Sequence, residues 1–226
     1  CAVAEFMYSA EQLLQITGDP YWGDRLEKAA FNALPAALSP DMWSHQYDQQ
    51  INQMRCGQMK NPPFNTNGPD ANRFGLEPNF GCCTANFNQA WPKFAASVFM
   101  KNADGLAAAA YAPSSVRTEI NGLPVEVRLD TEYPFRQELT FTVFSGEANT
   151  FSLFLRIPAW AERGIVTVDG RSVFARSNTF HRIHRVWKGE TRVRLTLPME
   201  PVLIPRPEGL YTCLLYTSPS PRDQRG

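Results

Sequence analysis

Residues 84–111 read TANFNQAWPKFAASVFMKNADGLAAAAY, and within this stretch the spacing of apolar side chains changes from helical to extended. The first apolar residues recur at intervals of three and four, which predicts a helix over 84–100. The positions that set this interval are Phe87, Trp91, Phe94, Ala95, Val98 and Phe99. Pro92 inside that helix predicts a kink or a ragged first turn. Beyond the turn-forming residues 102–105 the interval becomes two, so we place the boundary between a helical part and a β part near residue 103.

Two more helices are predicted upstream, over residues 2–17 and 21–34, where the apolar side chains follow the same helical spacing. Gly18-Asp19-Pro20 separates them, because Gly caps a helix and Pro cannot continue one. The two helices should therefore form an αα-hairpin. Between residues 35 and 80 the helical pattern is lost. Residues 42–50 are interpreted as a short strand or an extended stretch. Residues 61–79 are rich in Asn, Pro and Gly and predict a loop, whose length indicates a functional role.

The chain after residue 104 contains seven short segments rich in strand-forming residues and bounded by Gly, Pro and Asn. They cover residues 107–111, 115–120, 125–130, 138–144, 150–157, 165–168 and 192–196. Asn121-Gly122 and Asp169-Gly170 are dipeptides typical of tight hairpin turns. Regular strands with such turns predict an antiparallel β-sandwich over 104–212. The predicted fold class is therefore α + β, in two parts.

The composition excludes several classes of partner. The 226 residues carry 22 basic and 22 acidic side chains, which gives no electrostatic reason to expect nucleic acid or an anionic membrane as a partner. No run of 18 apolar residues occurs, so no transmembrane helix is predicted. The composition fixes neither an oligomeric state nor a compartment.

Both ends of the chain suggest truncation. The chain opens on Cys1 inside an amphipathic pattern without an initiator Met, and we expect that preceding sequence has been lost. Residues 213–226 resemble the translation of a sequencing adapter, and a disordered tail rich in Ser and Pro is the alternative. On either interpretation this stretch is expected to pack against nothing.

Gly81-Cys82-Cys83 opens the helix over 84–100 and is the centre of the chemical argument. A thiol at a helix N-terminus lies at the positive end of the dipole, which favours the thiolate. The five cysteines, an odd number, suit thiol or metal chemistry better than a disulfide framework. Buried structural cysteines at a helix start are the alternative.

Several motifs in order along the chain resemble one enzyme family. They are EFMYS at 5–9, ITGDPYW at 16–22, DRLEKAAFN at 24–32, FGCCTAN at 80–86, LRIPAW at 155–160 and VDG at 168–170. This order is similar to glycoside hydrolase family 127, formerly a domain of unknown function, whose known activity is β-L-arabinofuranosidase. The resemblance implies that residues 1–103 are the last helices of an (α/α)6-barrel catalytic domain, and that 104–212 form a β-sandwich.

The same resemblance implies a retaining glycoside hydrolase acting on L-arabinofuranosides or a related plant or microbial sugar. In the family, three thiolates and one Glu hold Zn²⁺, and one thiolate attacks the anomeric carbon. Carried over by motif, Cys82 matches the nucleophile, and Cys1 and Cys83 match the other thiolate ligands. The Glu ligand and the Glu acid/base of the family would precede Cys1, so we expect this chain alone to be inactive. Zinc suits these roles because it binds soft sulfur ligands and deprotonates them.

Glu27 matches a family Glu near the active centre, and a structural ion pair is an equally good interpretation of its helical position. Two positions depart from the family pattern, which often has Pro and Arg where this chain has Thr84 and Gln89. Either change could alter contacts with the substrate.

His45 and Tyr47 are candidates for the lining of a sugar pocket, with a solvated or core role as the alternative. Cys56 has no assigned role. His181 and His184 are interpreted as surface residues of a strand. The second hypothesis for the whole chain is a non-catalytic relative, in which the cysteines form a structural zinc site and the sandwich binds a glycan or packs against another domain.

Overall fold

A computed structural model describes residues 1–48, 57–58, 68, 70–75 and 81–205, together with the backbone of 211–214. Helices fill the first half of these ranges, and strands fill the second half. The helical elements are α1 (Ala2–Thr17), α2 (Pro20–Lys28), a π-helical turn (Ala29–Ala33), α3 (Leu34–Ala36) and α4 (Gly81–Ser97). Within the described residues, no helix is both long enough and apolar enough to cross a bilayer.

The turn between α1 and α2 has the predicted chemistry. Gly18 adopts φ 64°, and its N–H donates to the Leu14 carbonyl at 2.9 Å, which caps α1. The Asp19 carboxylate accepts the Tyr21 N–H at 3.0 Å, and Pro20 opens α2 at a position where no N–H is needed. The αα-hairpin inferred from the sequence is confirmed.

Two helix boundaries differ from the prediction. The helix predicted over 21–34 is interrupted after Lys28 by the π-helical turn Ala29–Ala33 and ends at Ala36, so it does not run as one regular α-helix. The helix predicted over 84–100 begins at Gly81 and ends at Ser97. It stops early because Phe99 and its neighbours pair with a following strand, and this tertiary pairing outweighs their helical spacing.

Ten strands follow the helices within the described residues. They are β1 (Phe99–Asn102), β2 (Gly105–Ala108), β3 (Ser114–Ile120), β4 (Leu123–Thr131), β5 (Glu138–Ile157), β6 (Gly164–Val168), β7 (Arg171–Ala175), β8 (Thr179–Thr196), β9 (Val202–Pro205) and β10 (Tyr211–Leu214). The segments predicted at 138–144 and 150–157 belong to one strand, β5, in which a register shift between Ser145 and Asn149 breaks the ladder. Most of β8 and all of β1, β7, β9 and β10 lie outside the predicted segments.

β1 to β8 form a single connected sheet with the order β1-β2-β5-β8-β6-β7. β8 pairs along one edge of β5, while β4 and β2 pair along successive halves of the other edge, and β3 extends the sheet from β4. The class α + β is therefore correct.

The prediction of purely antiparallel pairing is wrong, because β2 and β5 run parallel. Gly105 makes this close approach feasible: its φ is 150°, and a Cβ at that position would lie 2.1 Å from the Ser152 carbonyl oxygen. The Ser152 N–H also donates to the Asp104 carbonyl at 2.9 Å. This backbone contact is not visible in the spacing of side chains along the chain.

Each part of the molecule has its own core, and the two cores are joined. In the sheet, the buried Trp187 ring stacks on Phe151 with centroids 5.4 Å apart, and Trp187 Nε1 donates to the Phe151 carbonyl. In the helical part, Met7 of α1 and Phe94 of α4 lie in one buried cluster. Phe31 packs against both clusters and so fixes the helices on the sheet.

The last described strand corrects the predicted start of the C-terminal tail. β10 pairs with β9 in an antiparallel ladder, in which Cys213 lies opposite Leu203 and Leu214 opposite Val202. The first two residues of the stretch 213–226 are therefore part of a hairpin and do not begin an unpaired tail, since Tyr211 to Leu214 are residues with strand propensity. The prediction for 215–226 lies outside the described residues.

Candidate metal centre

The starts of two helices bring three cysteine sulfurs together. Cys1 precedes α1, while Cys82 and Cys83 lie in the first turn of α4. α1 packs along α4, and this packing places residues that are 82 positions apart in the chain side by side. The three Sγ atoms lie within 4.8 Å of one another, and those of Cys1 and Cys83 are 3.2 Å apart.

The three thiols differ in their exposure to solvent. Cys83 is buried, with 6% of its surface exposed, whereas Cys1 and Cys82 are exposed. The cluster therefore has one inner sulfur and two sulfurs that a ligand can reach. This asymmetry suits a division of roles between binding a metal and attacking a substrate.

The sulfur positions fit a zinc ion. Thiolates at about 2.3 Å from a tetrahedral zinc lie roughly 3.8 Å from each other, and the three sulfurs, all within 4.8 Å of one another, are close to that spacing. Within the described ranges, no His, Asp or Glu joins the three cysteines, so this part of the chain supplies three of the four ligands that zinc prefers.

Asn86, one turn after the cysteine pair, contacts the cluster directly. Its Nδ2 donates to Cys1 Sγ at 3.3 Å and to the Cys82 carbonyl at 2.9 Å. Gln89 Nε2 in turn donates to Asn86 Oδ1 at 3.3 Å. Asn86 belongs to the FGCCTAN motif, from which no role for its side chain is predicted. Its position at i+4 from Cys82 on a helix was the available signal.

His45 and Tyr47 lie beside the same helix start. His45 Nε2 is 3.0 Å from Thr84 Oγ1, and the His45 backbone exchanges hydrogen bonds with Gly75 at 3.0 and 3.2 Å. The half-buried Tyr47 is close enough for the charges of the Cys82 and Cys83 thiolates to act on it. The extended stretch named from the sequence is therefore adjacent to the cysteines.

Burial and charge act on the titratable groups of the cluster. Burial raises the pKa of the Cys83 thiol. Partial burial, followed by the negative charge of the Cys82 and Cys83 thiolates, raises the pKa of the Tyr47 phenol. A metal cation would therefore be favourable at this position, because it offsets the charge of closely spaced thiolates.

Glu27 lies at the junction of the helices with the sheet. Its carboxylate accepts the Tyr111 N–H at 2.8 Å and the Tyr133 hydroxyl at 2.6 Å, and it forms an ion pair with Arg156 at 2.5 Å. Asp24 binds the same guanidinium. Both oxygens of Glu27 are thus occupied, which fits the interpretation as a structural ion pair. Among the contacts of the described residues, none joins Glu27 to the cysteines.

The other candidates named from the sequence lie elsewhere. His181 and His184 are in β8, as interpreted from the sequence, and His184 Nδ1 is 3.0 Å from Ser152 Oγ. Neither belongs to a group that could hold a metal within the described residues. Cys56 lies outside those residues.

Two family descriptions match the chain in succession. Residues 1–96 match "Beta-L-arabinofuranosidase, GH127 catalytic domain", and residues 105–199 match "Beta-L-arabinofuranosidase, GH127 middle domain". A comparison with curated protein sequences finds no match.

Solved structures with a similar fold include three that cover most of this chain. A protein titled "Glycoside hydrolase" is 22% identical with a TM-score of 0.77, over 91% of this chain and 33% of its own length. A GH127 β-L-arabinofuranosidase from Geobacillus stearothermophilus T6 is 22% identical with a TM-score of 0.71, over 90% and 32%. The GH127 β-arabinofuranosidase BT3674 is 21% identical with a TM-score of 0.71, over 92% and 33%. The chain therefore spans about a third of the length of these proteins.

Proposed function

We propose that this chain, which belongs to the β-L-arabinofuranosidase family GH127, supplies the nucleophile side of a zinc–cysteine active site in a retaining glycoside hydrolase. The observation that carries the proposal is the convergence of the Cys1, Cys82 and Cys83 sulfurs from two separate helix starts. Packing alone does not explain why three thiols are assembled in this way, because two of them are exposed to solvent.

Cys82 is the proposed nucleophile, and Cys1 and Cys83 complete the thiolate ligands of zinc. Cys82 is exposed at the start of α4, where a substrate can reach its sulfur, whereas Cys83 is buried. Bound zinc would supply the positive charge that keeps all three sulfurs deprotonated at neutral pH.

The chemistry follows from a thiolate at this position. Cys82 Sγ attacks the anomeric carbon while a separate carboxylic acid protonates the leaving oxygen, which gives a covalent thioglycoside on Cys82. Water, activated by the same carboxylate, then releases the sugar with its configuration retained. A thiolate takes the place of the second carboxylate of the usual retaining pair. The acid/base Glu and the carboxylate ligand are proposed to come from residues outside this chain, which spans about a third of the length of the similar solved structures.

The proposed substrate is an oligosaccharide or glycoside that ends in L-arabinofuranose or a related sugar. His45 and Tyr47 support this side of the proposal, because both lie beside the cysteine-bearing end of α4 and present groups that hydrogen bond to hydroxyls. Thr84 positions the His45 ring. Because the family often has Pro at this position, Thr84 is proposed to influence which sugar is accepted.

The proposed architecture places residues 1–103 at the end of an (α/α)6-barrel and 104–212 in a β-sandwich. The helical content of the first part and the strand content of the second support this division. The matched catalytic and middle domains, at 1–96 and 105–199, fall on the two sides of it.

A zinc titration of the reduced chain tests the site. We expect one zinc per chain by native mass spectrometry, and a loss of affinity of more than about tenfold in each of C1S, C82S and C83S. C213S is the matched control, since Cys213 lies in the β9–β10 hairpin, and it should bind as the wild type does. Absence of binding, or binding that survives all three substitutions, would reject the zinc site.

The nucleophile is tested in a protein of the relatives' length that carries these residues. Cys82→Ser should abolish turnover of an aryl L-arabinofuranoside, because a hydroxyl is a far weaker nucleophile and zinc ligand than a thiolate. Retained turnover in this variant would reject Cys82 as the nucleophile. A wild type that binds zinc tightly but neither turns over nor forms a glycosyl adduct on Cys82 would instead favour the structural zinc site of a non-catalytic relative.

A further inference from the structure

The Asn86 side chain is the one amide that contacts two members of the cysteine cluster within the described residues. Its Nδ2 lies 2.9 Å from the Cys82 carbonyl oxygen, which can only accept, so this end of the amide must be the donor. The second Nδ2 hydrogen is then directed to Cys1 Sγ at 3.3 Å. Both donors of Asn86 are therefore used on the cluster.

Gln89 holds this amide in one orientation. Its Nε2 donates to Asn86 Oδ1 at 3.3 Å from the next turn of the same helix. Because Asn86 Oδ1 accepts this bond, flipping the amide would place two donors against each other and leave the Cys82 carbonyl facing an oxygen. Asn86 is half-buried and Gln89 is exposed, so the pair forms the outer rim of the cluster.

We infer that Asn86 is a positioning residue of the proposed zinc centre: it fixes Cys1 Sγ as a ligand and ties it to the backbone of Cys82, with Gln89 holding the amide. The inference rests on the proposed function. An N–H bond to a thiolate withdraws electron density from the sulfur, which stabilises its negative charge and makes it a weaker nucleophile.

The same contact distinguishes the two exposed sulfurs. Cys1 Sγ accepts the amide N–H of Asn86. Within the described ranges, by contrast, no side-chain nitrogen donates a hydrogen bond to Cys82 Sγ. Cys1 is therefore held as a ligand of reduced reactivity, and Cys82 retains the electron density that a nucleophile needs. Asn86 thus contributes to the choice of which thiolate reacts.

Cobalt(II) is the probe for this inference, since it occupies zinc sites and its sulfur-to-metal charge-transfer band reports on the thiolates. Asn86→Leu keeps the branched shape of the side chain and removes both donors. We expect this variant to bind cobalt(II) about tenfold more weakly, as is typical for the loss of an outer-shell partner. Its charge-transfer band should move to lower energy, because a sulfur without its N–H bond gives up an electron more easily. Asn88→Leu, on the exposed side of α4, is the matched control and should change neither quantity.

The outcomes separate the inference from the proposed function. A wild-type chain that binds no cobalt(II) removes the zinc site and with it this inference. A wild type that binds, with Asn86→Leu matching Asn88→Leu in affinity and band position, overturns the role of Asn86 alone. If circular dichroism shows that Asn86→Leu does not fold, Gln89→Leu decides, because its side chain is exposed. A smaller shift in the same direction supports the inference, and an unchanged band overturns it.

Discussion

Replacement of Arg156 by Met is expected to destabilise the junction between the helices and the sheet. The Arg156 side chain is completely buried, forms ion pairs with Asp24 and Glu27 of α2, and donates from Nε to the Ala109 carbonyl at 2.7 Å. Methionine matches the aliphatic stem of arginine and carries no charge, so the R156M variant removes the cation and keeps the packing of that stem. The carboxylate of Glu27, only 2% exposed, then has no charged partner.

The size of the effect follows from this burial. Removing one partner of a buried ion pair costs about 3–5 kcal/mol, because the remaining charge has lost its compensation without regaining water. For a protein of this length, each kcal/mol lowers the Tm by roughly 2–4 °C, so R156M should melt roughly 6–20 °C below the wild type.

The effect should also depend on pH, with a definite sign. Burial raises the pKa of Glu27, and the Arg156 guanidinium opposes that rise, so R156M should raise this pKa further. A carboxyl whose pKa is higher in the folded than in the unfolded state binds its proton more tightly when folded. Stability therefore falls as the pH rises through the range between the two pKa values. The deficit of R156M should be smallest near about pH 4 and should grow towards neutrality.

Urea unfolding followed by circular dichroism, at about pH 5 and about pH 7.5, measures both effects. The double variant R156M/E27Q should recover part of the loss at the higher pH, since the neutral amide costs less to bury than the carboxylate. Arg192→Met is the control: this side chain is 75% exposed and paired with an exposed Glu190, so the change should stay below about 1 kcal/mol. If R156M loses no more stability than R192M, or loses the same amount at both pH values, the buried ion pair does not have the role described.

Three further predictions follow from the structure. Gly105→Ala should cost about 1–3 kcal/mol in urea unfolding, because φ is 150° and a Cβ would lie 2.1 Å from a backbone oxygen of β5; Gly146→Ala, with open space around its Cβ, should cost less, and equal losses would contradict this account. Zinc binding should release more protons from the wild type than from Cys83→Ser, because burial raises the pKa of Cys83 and zinc binds the thiolate. Calorimetry in buffers of different ionisation enthalpy measures the number of protons released, and equal numbers would contradict the prediction. Zinc should lower the pKa of Tyr47, since the thiolates beside it contribute to raising that pKa. An ultraviolet titration of the wild type, from which the titration of Tyr47→Phe is subtracted, measures this pKa. An unchanged value would show that Tyr47 does not lie beside the metal site.

The sequence by itself determined the local elements. Gly18 was assigned as a helix cap and adopts φ 64°, and Asn121-Gly122 and Asp169-Gly170 were assigned as hairpin turns and adopt positive φ at all four positions. Each of these assignments depends on residues that are neighbours in the chain. Backbone conformation and hydrophobic spacing act over a few residues, so the sequence carries them directly.

The sequence also named the cysteines of the site, but through their motifs and not through their geometry. Only the packing of α1 on α4 brings Cys1 to Cys83 across 82 positions, and only the structure shows that Cys83 is the buried sulfur and that Asn86 contacts Cys1. The contact of Asn86 depends on where another helix begins, which no local pattern encodes.

Tertiary structure likewise decided the partners of Glu27 and the direction of β2. The motif left Glu27 open between the active centre and an ion pair, and its partner Arg156 lies in a strand far along the chain, where nothing in the spacing marks it as a partner. The parallel pairing of β2 with β5 depends on Gly105, because only a residue without a side chain can lie this close to a carbonyl of β5. Such contacts form between segments that are distant in the chain and meet only when the cores are packed. Their energy comes from burial and charge pairing in three dimensions, and not from the preferences of either segment alone.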